Sequence, residues 1–222
     1  MHVKAQAVDP IKDRTDVHNV AEYIRKNYEN GEMLRLMFLT GCNTGLRAGD
    51  IRQVKPEDLL QDSFVIVEKK TGKLRLIYVN DVLRNNAYNF INTETVKQFT
   101  DGSLKKTITE FNLIAEDNPA FIGGQGAVIG VKYIHYVIRE ACFSCGLNGN
   151  FGSHTMRKTF AYHCYFLCRD LERVKTILNH SDIILTYRYV NDKRIENRAR
   201  RTRRKDIKTE MTIKECYGVN LE

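Results

Sequence analysis

Apolar residues recur at steps of three and four along most of this chain, which is the spacing of an amphipathic α-helix. The pattern predicts helices over residues 17–28, 34–41, 46–51, 81–99, 104–114, 131–145, 153–167, 171–178 and 182–187. Only residues 64–68 and 74–79 are rich in β-branched and aromatic side chains, with Thr71 and Gly72 between them. The sequence therefore predicts an α+β fold, mainly an α-helical bundle, with one small antiparallel β-hairpin whose tip is basic.

The length of the chain indicates a single domain with short extensions. A chain of 222 residues, 42% of them hydrophobic, is long enough to form one core. Residues 1–15 are polar and contain Pro10, so we predict a linker or N-terminal extension there. The domain itself is predicted over residues 16–191, and residues 192–222 are predicted to form a basic tail.

The sequence lacks the features of a membrane or secreted protein. No apolar run approaches the roughly 20 residues that cross a bilayer. The N-terminus also lacks the apolar segment of a secretory signal. We therefore expect a soluble protein that does not bind membranes and remains in the cytoplasm.

Six cysteines raise the question of disulfides or bound zinc. A chain of this length does not need disulfides for stability, so reduced thiols are favoured. The pairs Cys142/Cys145 and Cys164/Cys168 fall in helical patterns, where spacings of three and four place small apolar side chains on one buried face. Core packing is the favoured interpretation of these pairs, with a metal site as the alternative.

Positive charge is concentrated near the C-terminus. The chain has a net charge of +8, and residues 193–208 alone hold nine basic residues against Glu196 and Asp206. The basic residues of this segment are Lys193, Arg194, Arg198, Arg200, Arg201, Arg203, Arg204, Lys205 and Lys208. The segment is either a solvated helical face or a surface that contacts phosphates or another subunit. Among these residues, Arg198, Arg201 and Arg204 are the predicted phosphate-binding residues, together with Lys69 and Lys73 of the hairpin.

Several polar residues stand at positions where reactive groups are often found. Arg47 follows a glycine-rich break, and Lys70 lies at the hairpin tip. Ser153 is the predicted N-cap of a helix whose first turn holds His154 and Arg157 on one face. Each residue alone also fits a surface or capping role, so their order along the chain decides the interpretation.

That order resembles the tyrosine recombinases, also called the phage integrase family. The string T-G-L-R-A-G-D at 44–50 resembles the first arginine motif of the family, and K-T-G follows at 70–72. H-T-M-R at 154–157 and L-N-H-S at 178–181 come next, and Tyr189 stands nine residues beyond His180. The resemblance covers residues 16–190 and implies the catalytic domain of a site-specific recombinase. Such an enzyme cleaves and rejoins DNA through a covalent 3′-phosphotyrosine.

The chemistry of the reaction explains why these residue types are needed. Transesterification places negative charge on two non-bridging phosphate oxygens, which planar guanidinium groups bind well, so Arg47 and Arg157 are assigned this role. A phenol with a pKa of about 10 needs a proton acceptor, and His154 is the candidate for Tyr189. The resemblance implies that His180 supports the transition state.

Two further roles come from the resemblance, and one assignment rests on spacing. The departing 5′ oxygen needs a proton, and Lys70 is the implied donor. Asp50 is implied to orient Arg47 rather than to meet the substrate. Tyr187 is a competing nucleophile, but the spacing from His180 favours Tyr189.

The resemblance also implies which cofactors and partners the protein has, and two alternative functions remain open. Because the arginines supply positive charge and the phosphotyrosine retains the bond energy, we expect no metal and no other cofactor. The partners implied are double-stranded DNA and copies of the same chain, monomeric in solution and tetrameric on DNA, with the C-terminal tail bridging subunits. Family members carry a DNA-clamping domain before the catalytic domain, and only about 15 residues precede the first predicted helix here, so the chain is either a fragment or a compact member. For a chain without the clamp we expect weak, salt-sensitive DNA binding. The alternatives are DNA relaxation of the type IB topoisomerase kind and a catalytically idle DNA-binding regulator.

Overall fold

A computed structural model describes residues 7–91, 121, 128–190 and 211–222. Within these ranges the elements are α1 (Arg14–Asn27), α2 (Gly31–Thr44), α3 (Ala48–Ile51), a 3-10 turn (Pro56–Leu60), β1 (Ser63–Val67), β2 (Leu74–Tyr78), α4 (Asp81–Ile91), α5 (Val131–Ser144), α6 (Thr155–Cys168), α7 (Leu171–Ile177), α8 (Ile183–Val190) and α9 (Ile213–Cys216). The predicted α+β, mainly helical class is confirmed. The predicted helix at 104–114 and the end of the one at 81–99 lie outside the described residues.

Helix α2 is the centre of the core. Twelve of its fourteen residues are buried, and it packs against α1, α4 and α6. The helix continues through Gly41 to Thr44, although the sequence predicted a break at Gly41. A Cβ atom at Gly41 would lie 2.5 Å from Met156 Sδ, so this glycine lets α6 approach closely and does not end the helix.

The end of α2 is determined by Gly45. This residue adopts the left-handed conformation with φ of 62°, and its N–H donates to Gly41 O at 3.0 Å. A Cβ atom there would lie 2.4 Å from Phe160 Cδ1 on α6. Gly45 thus satisfies both the turn and the close packing, and it directs the chain towards Arg47.

The two strands form the predicted hairpin. They pair antiparallel with Val65 opposite Leu76, and the intervening turn passes through Gly72, whose φ is 67°. Phe64, Ile66 and Ile77 face the core, so every second residue is buried. The hairpin tip therefore extends from a face that is anchored in the bundle.

Cysteine side chains fill parts of this core, and all six are free thiols. Cys142, Cys164 and Cys168 are fully buried, as the packing interpretation predicted, and Cys145 is partly buried. In the described part of the chain, no group of three or more metal-binding side chains is positioned to hold an ion.

Segments at both ends pack against the bundle. Ile11 is buried, and its N–H donates to Thr159 Oγ1 on α6 at 2.9 Å. At the other end, Leu221 N donates to Asn43 Oδ1 at 2.9 Å, and Asn43 Nδ2 donates to Leu221 O at 2.7 Å. Residues 191–210, which include most of the basic tail, lie outside the described residues. The boundaries predicted for the linker and the tail remain predictions.

None of the described helices is both long enough and apolar enough to cross a membrane.

Candidate active site

Arg47 is held at the N-terminus of α3 by two carboxylates. Its Nη1 lies 2.9 Å from Glu68 Oε1 and 3.7 Å from Asp50 Oδ2. Asp50 is buried, and its Oδ1 accepts a hydrogen bond from Lys69 N at 2.9 Å. Asp50 thus contacts Arg47 and joins α3 to the start of the hairpin turn, which agrees with its predicted orienting role.

Glu68 is a member of the site that the sequence analysis missed. Its side chain is fully buried and lies between Arg47 and Arg75, with Arg75 Nη1 at 3.7 Å from Oε1. Thr71 Oγ1 donates to Oε2 at 2.8 Å. Burial alone would raise the pKa of Glu68, but the Thr71 hydrogen bond and the two arginines outweigh it and lower the pKa. A signal was present in the sequence, because Glu68 continues the inward alternation of Phe64 and Ile66.

Arg157 is completely buried, and the surrounding backbone fixes its position. Its Nη1 donates to Gly45 O and its Nη2 to Leu178 O, both at 2.6 Å. Arg75 is held in the same way, with Nη2 donating to Thr44 O at 2.7 Å. Burial and the nearby charges of Arg75 and Arg47 lower the pKa of Arg157. A guanidinium remains charged at neutral pH in spite of such a shift. The ends of α2 and α7 therefore hold a positive charge inside the fold.

His154 differs in detail from its prediction. Helix α6 begins at Thr155 with His154 at the cap position, so Ser153 is not the N-cap that was predicted. The reason is local, because Gly152 N donates to Thr155 Oγ1 at 3.1 Å and closes the turn without Ser153. Desolvation and the charges of Arg157 and Arg47 lower the pKa of His154, so its imidazole is neutral at neutral pH and can accept a proton.

His180 is placed by an unusual turn and by α8. Asn179 adopts the left-handed conformation with φ of 54°, which asparagine tolerates better than most residues. His180 Nδ1 lies 3.1 Å from the hydroxyl of the buried Thr186. Burial, followed by the charge of Arg157, lowers the pKa of His180 to about 3, so the ring is neutral. In the tautomer in which Nδ1 accepts from Thr186, the ring proton lies on Nε2, where it can be donated to a phosphate oxygen.

Tyr189 lies on α8 next to this cluster. Its ring centroid is 4.7 Å from that of His180, and the guanidinium carbon of Arg157 lies 5.8 Å from the ring centroid. A cavity of about 570 Å³ opens beside it, lined by Ala7, Val8, His135, Asn150, Ser153, His154, Lys158 and Tyr189. Tyr187 is not among the lining residues, and this favours Tyr189 as the group that can meet a phosphate.

The basic residues predicted around this centre fall into two groups. Lys69, Lys70 and Lys73 are exposed on the hairpin turn, and the charge of Lys70 contributes to lowering the pKa of His154. Arg198, Arg201 and Arg204 lie outside the described residues. The fold thus brings five of the six predicted catalytic side chains into one cluster, while Lys70 is exposed on the hairpin turn and its charge acts on His154. Such a cluster of cations and neutral imidazoles is suited to bind and polarise a phosphodiester.

Known proteins share both the sequence pattern and the fold. The family model described as the phage integrase family matches residues 14–194. The probable integrase/recombinase YoeC of Bacillus subtilis (strain 168) is 28% identical over 191 residues, covering 86% of this chain and 91% of YoeC. Tyrosine recombinase XerC of Thermodesulfovibrio yellowstonii is 22% identical over 67% of this chain. The matched region spans only 46% of that relative.

Solved structures of recombinases have the same fold. The XerA recombinase is superposed with a TM-score of 0.59 at 17% identity, covering 90% of this chain and 68% of XerA. The XerH recombinase bound to a palindromic difH substrate gives a TM-score of 0.63 at 19% identity, covering 90% of this chain and 54% of XerH. Since the family model covers most of the chain and the fold agrees, the chain belongs to the phage integrase family of tyrosine recombinases.

Proposed function

We propose that this chain cleaves and rejoins DNA strands at specific sites through a covalent phosphotyrosine at Tyr189. The observation that carries the proposal is the position of Tyr189, whose ring contacts His180 and lies above Arg157 at the cavity that His154 also lines. A phosphate bound in this cavity would meet the phenol of Tyr189 and the imidazole of His154, with the charge of Arg157 close behind the phenol ring.

The proposed cleavage step transfers a phosphoryl group from DNA to the enzyme. Tyr189 Oη attacks the phosphorus and forms a phosphotyrosine bond to the 3′ phosphate, while its proton passes to His154. The bond from phosphorus to the 5′ oxygen breaks, and that oxygen takes a proton from Lys70. Rejoining follows the same steps in reverse, with a 5′ hydroxyl as nucleophile and Tyr189 as the leaving group.

The remaining residues stabilise the charge that develops on the phosphate. Arg47 and Arg157 are proposed to bind the non-bridging oxygens, and His180 is proposed to donate from Nε2. Asp50 orients Arg47 through their ion pair. No step in this scheme uses a cofactor.

Double-stranded DNA is the proposed substrate, and assembly on it is proposed to be tetrameric from monomers in solution. Lys69, Lys73, Arg198, Arg201 and Arg204 are proposed to contact phosphates. The XerH structure is described as bound to its difH substrate, and a lambda integrase fragment as a dimer bound to a core site. Residues 16–191 form the proposed catalytic unit, preceded by a linker at 1–15. We expect the protein to act in the cytoplasm, where its DNA substrate lies.

The C-terminal residues 192–222 are proposed to bridge subunits. Leu221 docks through two hydrogen bonds to Asn43, a contact that Asn43 of a neighbouring copy could equally supply. Cysteines introduced at both positions test this proposal, with each single variant as control. On DNA the two introduced cysteines should form a disulfide between subunits and give linked oligomers. Without DNA they should form a disulfide within one chain and give internally linked monomers. Linked monomers in both conditions would contradict the bridging role.

The decisive experiment for the function is capture of a covalent adduct. A pool of nicked, randomised DNA duplexes is incubated with the protein, and denaturing gels isolate protein-linked DNA, whose sequence then reveals the site. We expect adducts from the wild type and from Tyr187→Phe, and none from Tyr189→Phe. An adduct that survives Tyr189→Phe and disappears with Tyr187→Phe would assign the nucleophile to Tyr187. No adduct from the wild type would contradict the proposed reaction.

A further inference from the structure

A buried lysine next to Tyr189 is not used in the mechanism above. Lys158 follows Arg157 on α6, and only 6% of its surface is exposed. Its Nζ lies 5.7 Å from the centroid of the Tyr189 ring, and Lys158 and Tyr189 line the same cavity. A lysine this deeply buried is rare in proteins unless it is paired, so its position needs an explanation.

The hydrogen bonding of Lys158 differs from that of its neighbour Arg157. Both terminal nitrogens of Arg157 donate to backbone carbonyls at 2.6 Å, which fixes the guanidinium in place. For Lys158 Nζ, no acceptor lies within hydrogen-bond distance among residues 7–91, 121, 128–190 and 211–222. Four rotatable bonds also let a lysine ammonium move by more than a guanidinium held at two points. Lys158 is therefore the cation beside Tyr189 that can follow the phenol oxygen.

We propose that Lys158 is a positioning residue that stabilises the phenolate of Tyr189 as it forms in cleavage and as it departs in rejoining. The proposal rests on the proposed function, since it concerns the same nucleophile. The side chain of Lys158 is largely buried and borders the cavity, and an anion that develops beside an ammonium held without a close acceptor is stabilised by its charge. The benefit is larger in the transition state than in the resting enzyme, which is the requirement for rate acceleration.

Five other titratable groups lie around Lys158 and Tyr189. They are His154 and Arg157 at the start of α6, His180 in the turn before α8, His135 on α5 and Asp9 in the N-terminal segment. Burial lowers the pKa of Lys158, and the Asp9 carboxylate opposes that shift. Asp9 also accepts a hydrogen bond from Asn150 N at 3.0 Å, so it is already engaged in holding the loop. The imidazoles of His154 and His180 have lowered pKa values and are neutral before the proton of Tyr189 is transferred, so Lys158 and Arg157 are cations beside Tyr189 already in the resting enzyme.

The first test compares Lys158→Met with Lys158→Arg by the pH profile of single-turnover cleavage on the captured DNA site. Methionine retains the length of the side chain and removes its charge, whereas arginine retains the charge. We expect Lys158→Met to move the rise of the cleavage rate by about one pH unit towards alkaline pH. That shift corresponds to about 10-fold slower cleavage at pH 7. Lys158→Arg should recover most of the rate.

Lys12→Met is the matched control, because Lys12 Nζ lies 5.7 Å from the ring centroid of Tyr162 on the same helix. It removes a similar lysine and tyrosine contact away from the site, so its pH profile should equal that of the wild type. Thermal melts of all variants check that each one folds. An unmoved profile in a folded Lys158→Met, or equal losses in Lys158→Met and Lys158→Arg, would overturn the proposal.

A second test needs no DNA and separates this proposal from the proposed function. The tyrosinate absorbance of Tyr189 is the difference between the titration of the wild type and that of Tyr189→Phe. The same difference is then measured in the Lys158→Arg and Lys158→Met backgrounds, because arginine stays charged at the alkaline pH of the titration, whereas the pKa of Lys158 is lowered by burial. We expect the Tyr189 signal to appear at lower pH in Lys158→Arg than in Lys158→Met. Equal titrations in the two backgrounds would refute the role of a cation at this position, whereas failure of the wild type to form adducts would refute the recombinase reaction alone.

Discussion

The proposed phosphate-binding centre around Arg157 and the hairpin tip are built in opposite ways. Arg157 is completely buried and donates two hydrogen bonds of 2.6 Å to backbone carbonyls, whereas Lys70 is exposed on the turn between β1 and β2. The carbonyl ligands of Arg157 belong to the ends of α2 and α7, so folding itself fixes its charge. Folding thus positions the groups proposed to stabilise charge. The position of Lys70, the proposed proton donor, is instead expected to depend on the DNA that binds beside it.

This difference has an energetic reason. A group that binds a transition-state oxyanion acts best when it is already oriented and shielded from water, because no reorganisation is then needed during the reaction. A general acid must instead exchange protons with solvent between turnovers, which a buried lysine does poorly. Substitutions in the two regions should therefore separate effects on folding from effects on cleavage.

The largest expected effect on cleavage comes from Lys70→Ala, which should slow cleavage by about 10²- to 10⁴-fold. Because Lys70 is exposed, the free energy of unfolding should remain that of the wild type. A DNA substrate with sulfur at the 5′ bridging position has a leaving group that needs no proton. That substrate should restore cleavage in Lys70→Ala. Equal defects on both substrates would show that Lys70 binds the phosphate instead. Lys132→Ala, which removes an exposed lysine on α5, is the control.

Arg157→Met should affect both folding and cleavage. Cleavage should fall by about 10²- to 10³-fold, and the sulfur substrate should not restore it. The free energy of unfolding should fall by about 2 kcal/mol, since Leu178 O and Gly45 O lose their closest donors. Denaturant titration measures the stability, and single-turnover adduct formation measures the rate. Normal stability in this variant would mean that the carbonyls find other donors.

Glu68→Gln tests the carboxylate that lies between the arginine cluster and the hairpin tip. The substitution removes the buried negative charge that Arg47 and Arg75 share. We expect a loss of about 2–3 kcal/mol of stability and about 10-fold slower cleavage from misplacement of Arg47. The lowered pKa of Glu68 means that its contribution is present above its unfolded pKa and is lost as the pH falls. The stability difference between wild type and variant should therefore shrink in acid, which denaturant titrations at pH 7 and pH 4 can measure.

The smallest effect concerns His180 and the stability of the protein without DNA. Its pKa of about 3 in the fold lies below the ordinary value of 6.5, so the unfolded chain binds the proton more tightly. Stability is then complete above about pH 6.5 and falls as the pH decreases towards 3. In His180→Asn the loss of thermal midpoint from pH 7.5 to pH 5 should be smaller than in the wild type, by about 4–8 °C. His154 and His163 remain in the variant and account for the residual slope.

The sequence by itself determined the class of the fold, the family and the candidate reactive residues. The helical periodicity, the single hairpin, and the order of Arg47, Lys70, His154, Arg157 and Tyr189 are local properties, and local spacing is readable without a structure. The same local rules misjudged Gly41 and Ser153. A glycine that permits close packing looks like one that ends a helix, and Thr155 replaced the serine at the entrance of α6.

Only the tertiary structure decided which partners these residues have. Glu68 contacts Arg47, Thr186 contacts His180, and Lys158 lies beside Tyr189, yet no pair among them is recognisable from spacing in the sequence. Partners of this kind come from separate elements, and the packing of α6 against α2 and α8 brings them together. Burial then sets the charge state of each group, because the loss of water acts on whatever the fold encloses. The sequence names the reactive groups, and the packing determines how they are held and which of them carry charge.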